Sequence, residues 1–169
     1  IFLKREDLQV VRSYKIRGAY YKINSLSDAE KKKGVICASA GNHAQGLAYA
    51  CNKLGIKGKI YMPSTAPAQK VKQVKLFGKS HIEVMLQGDT FDDAYALAIK
   101  DSHKSGMSFI HPFDDEKVIA GQGTVGLEIL KDTPVTIDYL FIPVGGGGLA
   151  AGVSNVFEKQ SPSTKMIGV

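Results

Sequence analysis

A chain of 169 residues that is 44% hydrophobic can bury a substantial core in one or two domains and lies outside the disordered and fibrous classes. Its formal net charge of +6 is spread over helical stretches such as "EKKKG" and "QKVKQVKLFGK", with no basic arm interleaved with aromatics, which argues against a nucleic-acid partner. Cys37 and Cys51 are too few for a disulfide framework, and no leader-like segment or bilayer-length apolar run is read, so a cytoplasmic, non-membrane protein with reduced thiols is expected.

The first helix is predicted from Ile16, Ala19, Tyr20, Ile23 and Leu26, with Ser13 as its N-cap. Its first turn holds Lys15 and Arg17, with Arg12 just ahead. The positive end of a helix dipole disfavours cations by roughly 0.3 to 1 kcal/mol each. Either these side chains reach into water, or Lys15 is no ordinary ammonium, having a lowered pKa or being condensed with a carbonyl compound.

An alternation follows. The β-branched runs "GVICAS", "GKIYMP", "HIEVML", "MSFIHP" and "DYLFIPV" each precede a helical pattern, and "KMIGV" reads as a further strand. Ala44, Leu47, Ala48, Cys51 and Leu54 form one stripe of a helix that stops at Gly55. Pro67 suits the first turn of the next helix, which turns Val71, Val74 and Phe77 inward and closes at Gly78. Thr90 is the expected N-cap of a helix bearing Phe91, Ala94, Tyr95 and Ala98. "HPFDDEK" reads as a boundary turn before a long helix through Val118, Gln122, Val125 and Ile129. Strands alternating with helices predict an α/β protein with parallel sheets covered on both faces. Residues 34–113 are expected to form a small inserted domain, with 1–33 and 114–169 belonging to a larger one.

Two strand-to-helix turns can bind anions. In "CASAGNHAQG", Ser39, Ala40, Gly41, Asn42 and His43 place successive backbone N–H groups at a helix start; Asn42 either caps that helix or hydrogen-bonds a ligand. In "PVGGGGLAAG", Gly145, Gly146, Gly147 and Gly148 allow close backbone approach to a phosphate, and four glycines exceed what a plain turn requires. Gly146, Gly148 and Ala151 also satisfy G-x-G-x-x-A, which leaves a dinucleotide-binding oxidoreductase open. His43, His81, His103 and His111 are scattered without metal-ligand spacing, so no metal site is expected.

In this order, "SYKIRGA", "SAGNHAQG" and "PVGGGGL", with "LKREDLQ" ahead and "HPFDDEKVIAGQGT" between, resemble the pyridoxal-phosphate enzymes of the tryptophan-synthase β-like fold (fold type II), and most of all their biosynthetic threonine dehydratase, or threonine ammonia-lyase, branch. The resemblance spans essentially the whole chain. It implies that Lys15 is the catalytic residue and bonds pyridoxal 5'-phosphate, that Asn42 meets the ring hydroxyl, and that Gly145 to Gly148 with Leu149 hold the phosphate. It further implies that Ser39, Ala40, Gly41, Asn42 and His43 bind the substrate carboxylate. The implied reaction is elimination of water from L-threonine and hydrolysis to 2-oxobutyrate and ammonia, the first step of isoleucine biosynthesis; L-serine would give pyruvate. A catabolic threonine or serine dehydratase is the nearest alternative.

Two departures stand out. Tyr14 replaces the usual phenylalanine beside the lysine, and Ala40 stands where serine racemases of this fold carry a proton-transferring serine. The resemblance also implies a catalytic fragment with its larger domain incomplete, from a parent that assembles as a homotetramer.

Overall fold

The strand β1 (Val35–Ala38) is buried along its whole length, and its alternating side chains serve two cores. Val35 and Cys37 face one, Ile36 and Ala38 the other. This strand lies inside a four-stranded sheet of order β3-β2-β1-β4, formed with β2 (Gly58–Met62), β3 (Ile82–Leu86) and β4 (Ser108–Phe109). Every pairing is parallel, with Val35 opposite both Gly58 and Ser108. The computed structural model describes residues 1–169.

Seven α-helices accompany the strands: α1 (Lys15–Asn24), α2 (Asp28–Lys33), α3 (Asn42–Leu54), α4 (Ala68–Gly78), α5 (Phe91–Ser105), α6 (Glu116–Asp132) and α7 (Gly148–Gln160). The first core joins Ile60 and Met62 of β2 to Ile23 of α1, Leu47 and Ala48 of α3, Val74 of α4 and Val118 of α6. On the opposite face, Ala94 and Ala98 of α5 cover Ile36, Ala38 and Tyr61. Parallel strands with covered faces are the expected consequence of βαβ crossovers. A second, two-stranded parallel sheet pairs β5 (Tyr139–Ile142) with β6 (Lys165–Gly168). Its Ile142 packs with Val125 of α6 and with Val153 and Phe157 of α7.

Close helix crossings depend on missing side chains. A Cβ on Gly18 of α1 would sit 2.7 Å from the Val118 carbonyl oxygen of α6, and one on Gly121 would sit 2.6 Å from the Cα of Gly18.

Most predicted ends appear. Thr90 caps α5 in a capping box with Asp93, and Gly55 ends α3 in the left-handed region, at φ 68°. Pro67 is the N-cap of α4 and not its first residue, since its extended ψ of 132° lies outside the helix. Gly78 is the last residue of α4, where a Cβ would overlap Ile82, and Lys79 takes the left-handed turn at φ 50°. Ser13 does not cap α1. The boundary residue is Tyr14, already helical at φ −64° and ψ −16°, which leaves the buried Ser13 hydroxyl without a partner.

Candidate active site

Lys15 is the first residue of α1 and is half-buried there. Its Nζ donates to the Pro112 carbonyl oxygen at 2.6 Å and lies 5.4 Å from the centroid of the Tyr14 ring. No carboxylate pairs with it, in contrast to Lys4, Lys22 and Lys59. Burial without a counter-ion disfavours the ammonium, so the Lys15 pKa falls below the ordinary lysine value. This is the second of the two accounts the sequence offered for a cation at a helix start.

The first turns of α3 come directly against the start of α1. A Cβ on Gly46 of α3 would stand 3.0 Å from the backbone carbonyl of Lys15, so the two helix starts meet almost backbone to backbone. Gly41 is the boundary residue of α3, and no side chain caps the helix. Asn42, the first helical residue, is exposed and does not serve as a cap, which settles one of its two readings. Ser39 Oγ accepts from the Gly41 N–H at 3.2 Å, and Ala40 packs on the first core.

His43 is buried and joins the turns after β1 and β4. Its Nε2 lies 2.9 Å from the Ile110 carbonyl oxygen. A carbonyl can only accept, so Nε2 is the protonated nitrogen and Nδ1 is left bare, buried and unpartnered. Burial, with smaller contributions from nearby Lys15 and His111, pushes the His43 pKa down to about 4, and the ring is neutral at pH 7.

The glycine run follows β5. Gly147 adopts φ 84° and Gly148 opens α7, whose start no side chain caps. A Cβ on Gly145 or Gly147 would meet nothing within 4 Å, whereas one on Gly146 would overlap the Phe113 ring and one on Gly148 would lie 2.6 Å from the Phe113 carbonyl oxygen. Leu149 packs on the third core.

Residues 111–114 therefore link the parts, a role that no sequence pattern announces. Pro112 receives Lys15, while Phe113 supports the glycine run. His111 Nδ1 accepts from the N–H groups of Phe113 (3.3 Å) and Asp114 (2.7 Å). In the sequence "HPFDDEK" reads as a boundary and as part of the family resemblance; hydrophobic periodicity carries no information about a turn's tertiary contacts.

Two uncapped helix starts, a half-buried lysine without a carboxylate and the unpartnered His43 Nδ1 suit a ligand that combines an aldehyde with an anionic group. No cluster of three or more His, Cys, Asp or Glu side chains could hold a metal ion. Residues 1–169 match the family described as pyridoxal-phosphate dependent enzyme. The chain belongs to that family.

Its relatives within this pyridoxal-phosphate family include the biosynthetic L-threonine dehydratase IlvA of Halalkalibacterium halodurans, 59% identical over 168 residues, covering 99% of this chain and 40% of that protein. The Bacillus subtilis protein of the same name is 57% identical over 169 residues, covering 100% of this chain and 40% of its own. Threonine deaminase isoform 2 from Solanum lycopersicum, in its processed form, superimposes with a TM-score of 0.93 at 51% identity, covering 98% of this chain and 44% of that one. Maize serine racemase does so with a TM-score of 0.92 at 35% identity, covering 98% and 49%. The chain thus spans about two fifths of the length of these curated relatives. Pyridoxal 5'-phosphate is the family's cofactor.

Proposed function

We propose that this chain supplies the reactive lysine and the anion-binding turns of a threonine ammonia-lyase that converts L-threonine to 2-oxobutyrate and ammonia, and L-serine to pyruvate. The observation that carries the reading is Lys15, half-buried without a counter-ion at a point where two uncapped helix starts are tied together through residues 110–113. Identity of 59% and 57% to proteins named biosynthetic L-threonine dehydratase supports the choice of substrate.

In this reading the backbone N–H groups of Gly145 to Gly148 and Leu149 hold the cofactor phosphate at the start of α7. Ser39, Ala40, Gly41, Asn42 and His43 hold the substrate carboxylate at the start of α3, and the free Asn42 amide reaches the ring hydroxyl. When bound, pyridoxal phosphate supplies an aldehyde for covalent attachment and a ring that withdraws electrons. Lys15 provides the bonding amine and then, with its lowered pKa, takes the proton from the substrate α-carbon. Loss of the β-hydroxyl as water, addition of water and release of ammonia balance threonine against 2-oxobutyrate plus ammonia. Ala40 has no proton to exchange, so elimination is favoured over racemisation, although maize serine racemase shares the fold.

A homotetrameric parent and a cytoplasmic location belong to the same reading, as does the division into 34–113 and the two segments around it. The four-stranded sheet, which falls between Val35 and Phe109, supports that division. No helix is long and apolar enough to cross a membrane.

The test is borohydride reduction of the protein mixed with pyridoxal phosphate, followed by peptide mapping, with Lys15→Ala alongside. Label trapped on Lys15, and 2-oxobutyrate formed from threonine only when Lys15 is present, is the expected result. Label confined to other lysines, or a Lys15→Ala variant that still turns threonine over, overturns the assignment.

A further inference from the structure

The imidazole of His111 takes no part in the chemistry above, yet it stands between the site's two halves. Its Nδ1 accepts two backbone N–H groups, from Phe113 at 3.3 Å and Asp114 at 2.7 Å, so the turn closes around a nitrogen that must stay unprotonated. The same turn presents the Pro112 carbonyl to Lys15 Nζ and sets Phe113 beneath Gly146 and Gly148. The His111 and Phe113 rings meet edge to face, with centroids 4.7 Å apart at 83°.

We propose that His111 is a positioning residue, whose Nδ1 shapes the 111–114 turn and so couples the environment of Lys15 to the glycine run. Placing a proton on Nδ1 would set an N–H against two N–H donors. The turn would have to open, and the Pro112 carbonyl and the Phe113 ring would move with it. That the glycine run and Lys15 form one site rests on the function proposed above; the coupling itself does not.

The surroundings of the ring oppose protonation only in part. Burial is the largest influence and lowers the His111 pKa; Asp114 and Asp115 from the turn and the start of α6 raise it, and Lys15 of α1 lowers it again. Neutral His43 faces it from α3, the rings of Tyr95 of α5 and Phe109 of β4 pack edge-on, and Phe113 completes the shell. Because the net shift is downward, the turn is closed at neutral pH and opens as the pH falls below the ordinary histidine value of 6.5.

The test follows the histidine ring nitrogens and the backbone amides of the intact protein by NMR from about pH 8 to about pH 5. In parallel, trace acetylation of Lys15 is compared in the wild type, His111→Asn and His111→Ala. The asparagine oxygen can replace Nδ1 as an acceptor; alanine cannot. The expected results are a bare Nδ1 at the upper pH, and amide shifts of Phe113, Asp114, Gly146 and Gly148 that share the midpoint of His111. Lys15 acetylation should change several-fold in His111→Ala and stay near wild type in His111→Asn. A proton on Nδ1 at the upper pH, amides that ignore the His111 midpoint, or Lys15 acetylation unchanged in His111→Ala each overturn the proposal. Should His111→Ala fail to fold, the ring tautomer and the shared midpoint still decide. No step uses pyridoxal phosphate, so failure here is distinct from failure to trap cofactor on Lys15.

Discussion

Arg17 and Glu128 meet in a two-pronged ion pair, Nη1 on Oε1 and Nη2 on Oε2, each at 2.7 Å. The other edge of the same guanidinium grips Glu6 through Nε and Nη2, both at 2.8 Å, and Nη1 also reaches the Thr124 hydroxyl at 3.0 Å. Every N–H of Arg17 is thus spent on joining the segment before α1 to α6, two residues beyond Lys15. The hydrogen bond from Arg17 is the chief reason that the Glu128 carboxyl is held down to about 2.

Arg17→Lys keeps the charge but cannot engage two carboxylates as a fork. With the Arg17 side chain only 11% exposed and Glu6 15% exposed, Arg17→Ala strands a shielded carboxylate, and we expect a loss of about 2 to 4 kcal/mol in urea unfolding. Arg17→Lys should fall between the two. A lysine variant as stable as wild type would show that charge alone, without the fork, holds this junction.

His43 makes a pH-dependent contribution to stability. Its folded pKa of about 4 lies below the ordinary 6.5, so its contribution is complete above pH 6.5 and is lost progressively as the pH falls toward 4. The loss should reach on the order of 3 kcal/mol. Equilibrium unfolding at successive pH values should show a slope through that window in wild type and a flatter one in His43→Asn.

The glycine run separates three physical effects. Gly145→Ala meets open space at ordinary φ and should leave the melting temperature unchanged. Gly147→Ala must hold φ 84° and should cost about 1 to 2 kcal/mol. Gly148→Ala presses on the Phe113 backbone, which cannot swing aside like a side-chain tip, and should cost about 1 to 3 kcal/mol. Thermal melts of the three variants check the assignment; a destabilised Gly145→Ala would contradict it.

Cys37 and Cys51 are both buried, and burial raises each thiol pKa, that of Cys51 to about 12. A disulfide reagent such as Ellman's should find no fast thiol in the folded protein and two after denaturation. Reaction of either cysteine without unfolding would mean that the first core opens locally.

Local signals in the sequence proved reliable where one residue settles the geometry. Thr90 with Asp93, and Gly55 at its left-handed position, mark their helix ends because the chemistry lies within a few residues. Ser13 does not cap because the chain is already helical at Tyr14, following the positive-φ turn at Arg12 (φ 59°). The two strand-to-helix turns were legible as strand, glycine and helix. The histidine rings were less so: His43 reads only as part of its turn, and its ring reaches the Ile110 carbonyl because β1 and β4 are neighbours in the sheet, while the bonds of His111 to Phe113 and Asp114 lie in a turn that carries no periodic signal.

The neighbourhood of β1 and β4 is also where the sheet reverses its winding. From β1 the chain builds outward through β2 to β3, then crosses back to lay β4 on the opposite flank, so the winding direction reverses between β1 and β4. Connections leaving the two strands' carboxyl ends diverge there, and in open parallel sheets such a reversal opens a crevice. The His43–Ile110 hydrogen bond spans this gap as a cross-tie. Inserted residues in the loops after β2 or β3 would lengthen the rim of the domain, whereas a single residue inserted after β1 or β4 would pull that tie out of register and close or splay the mouth itself.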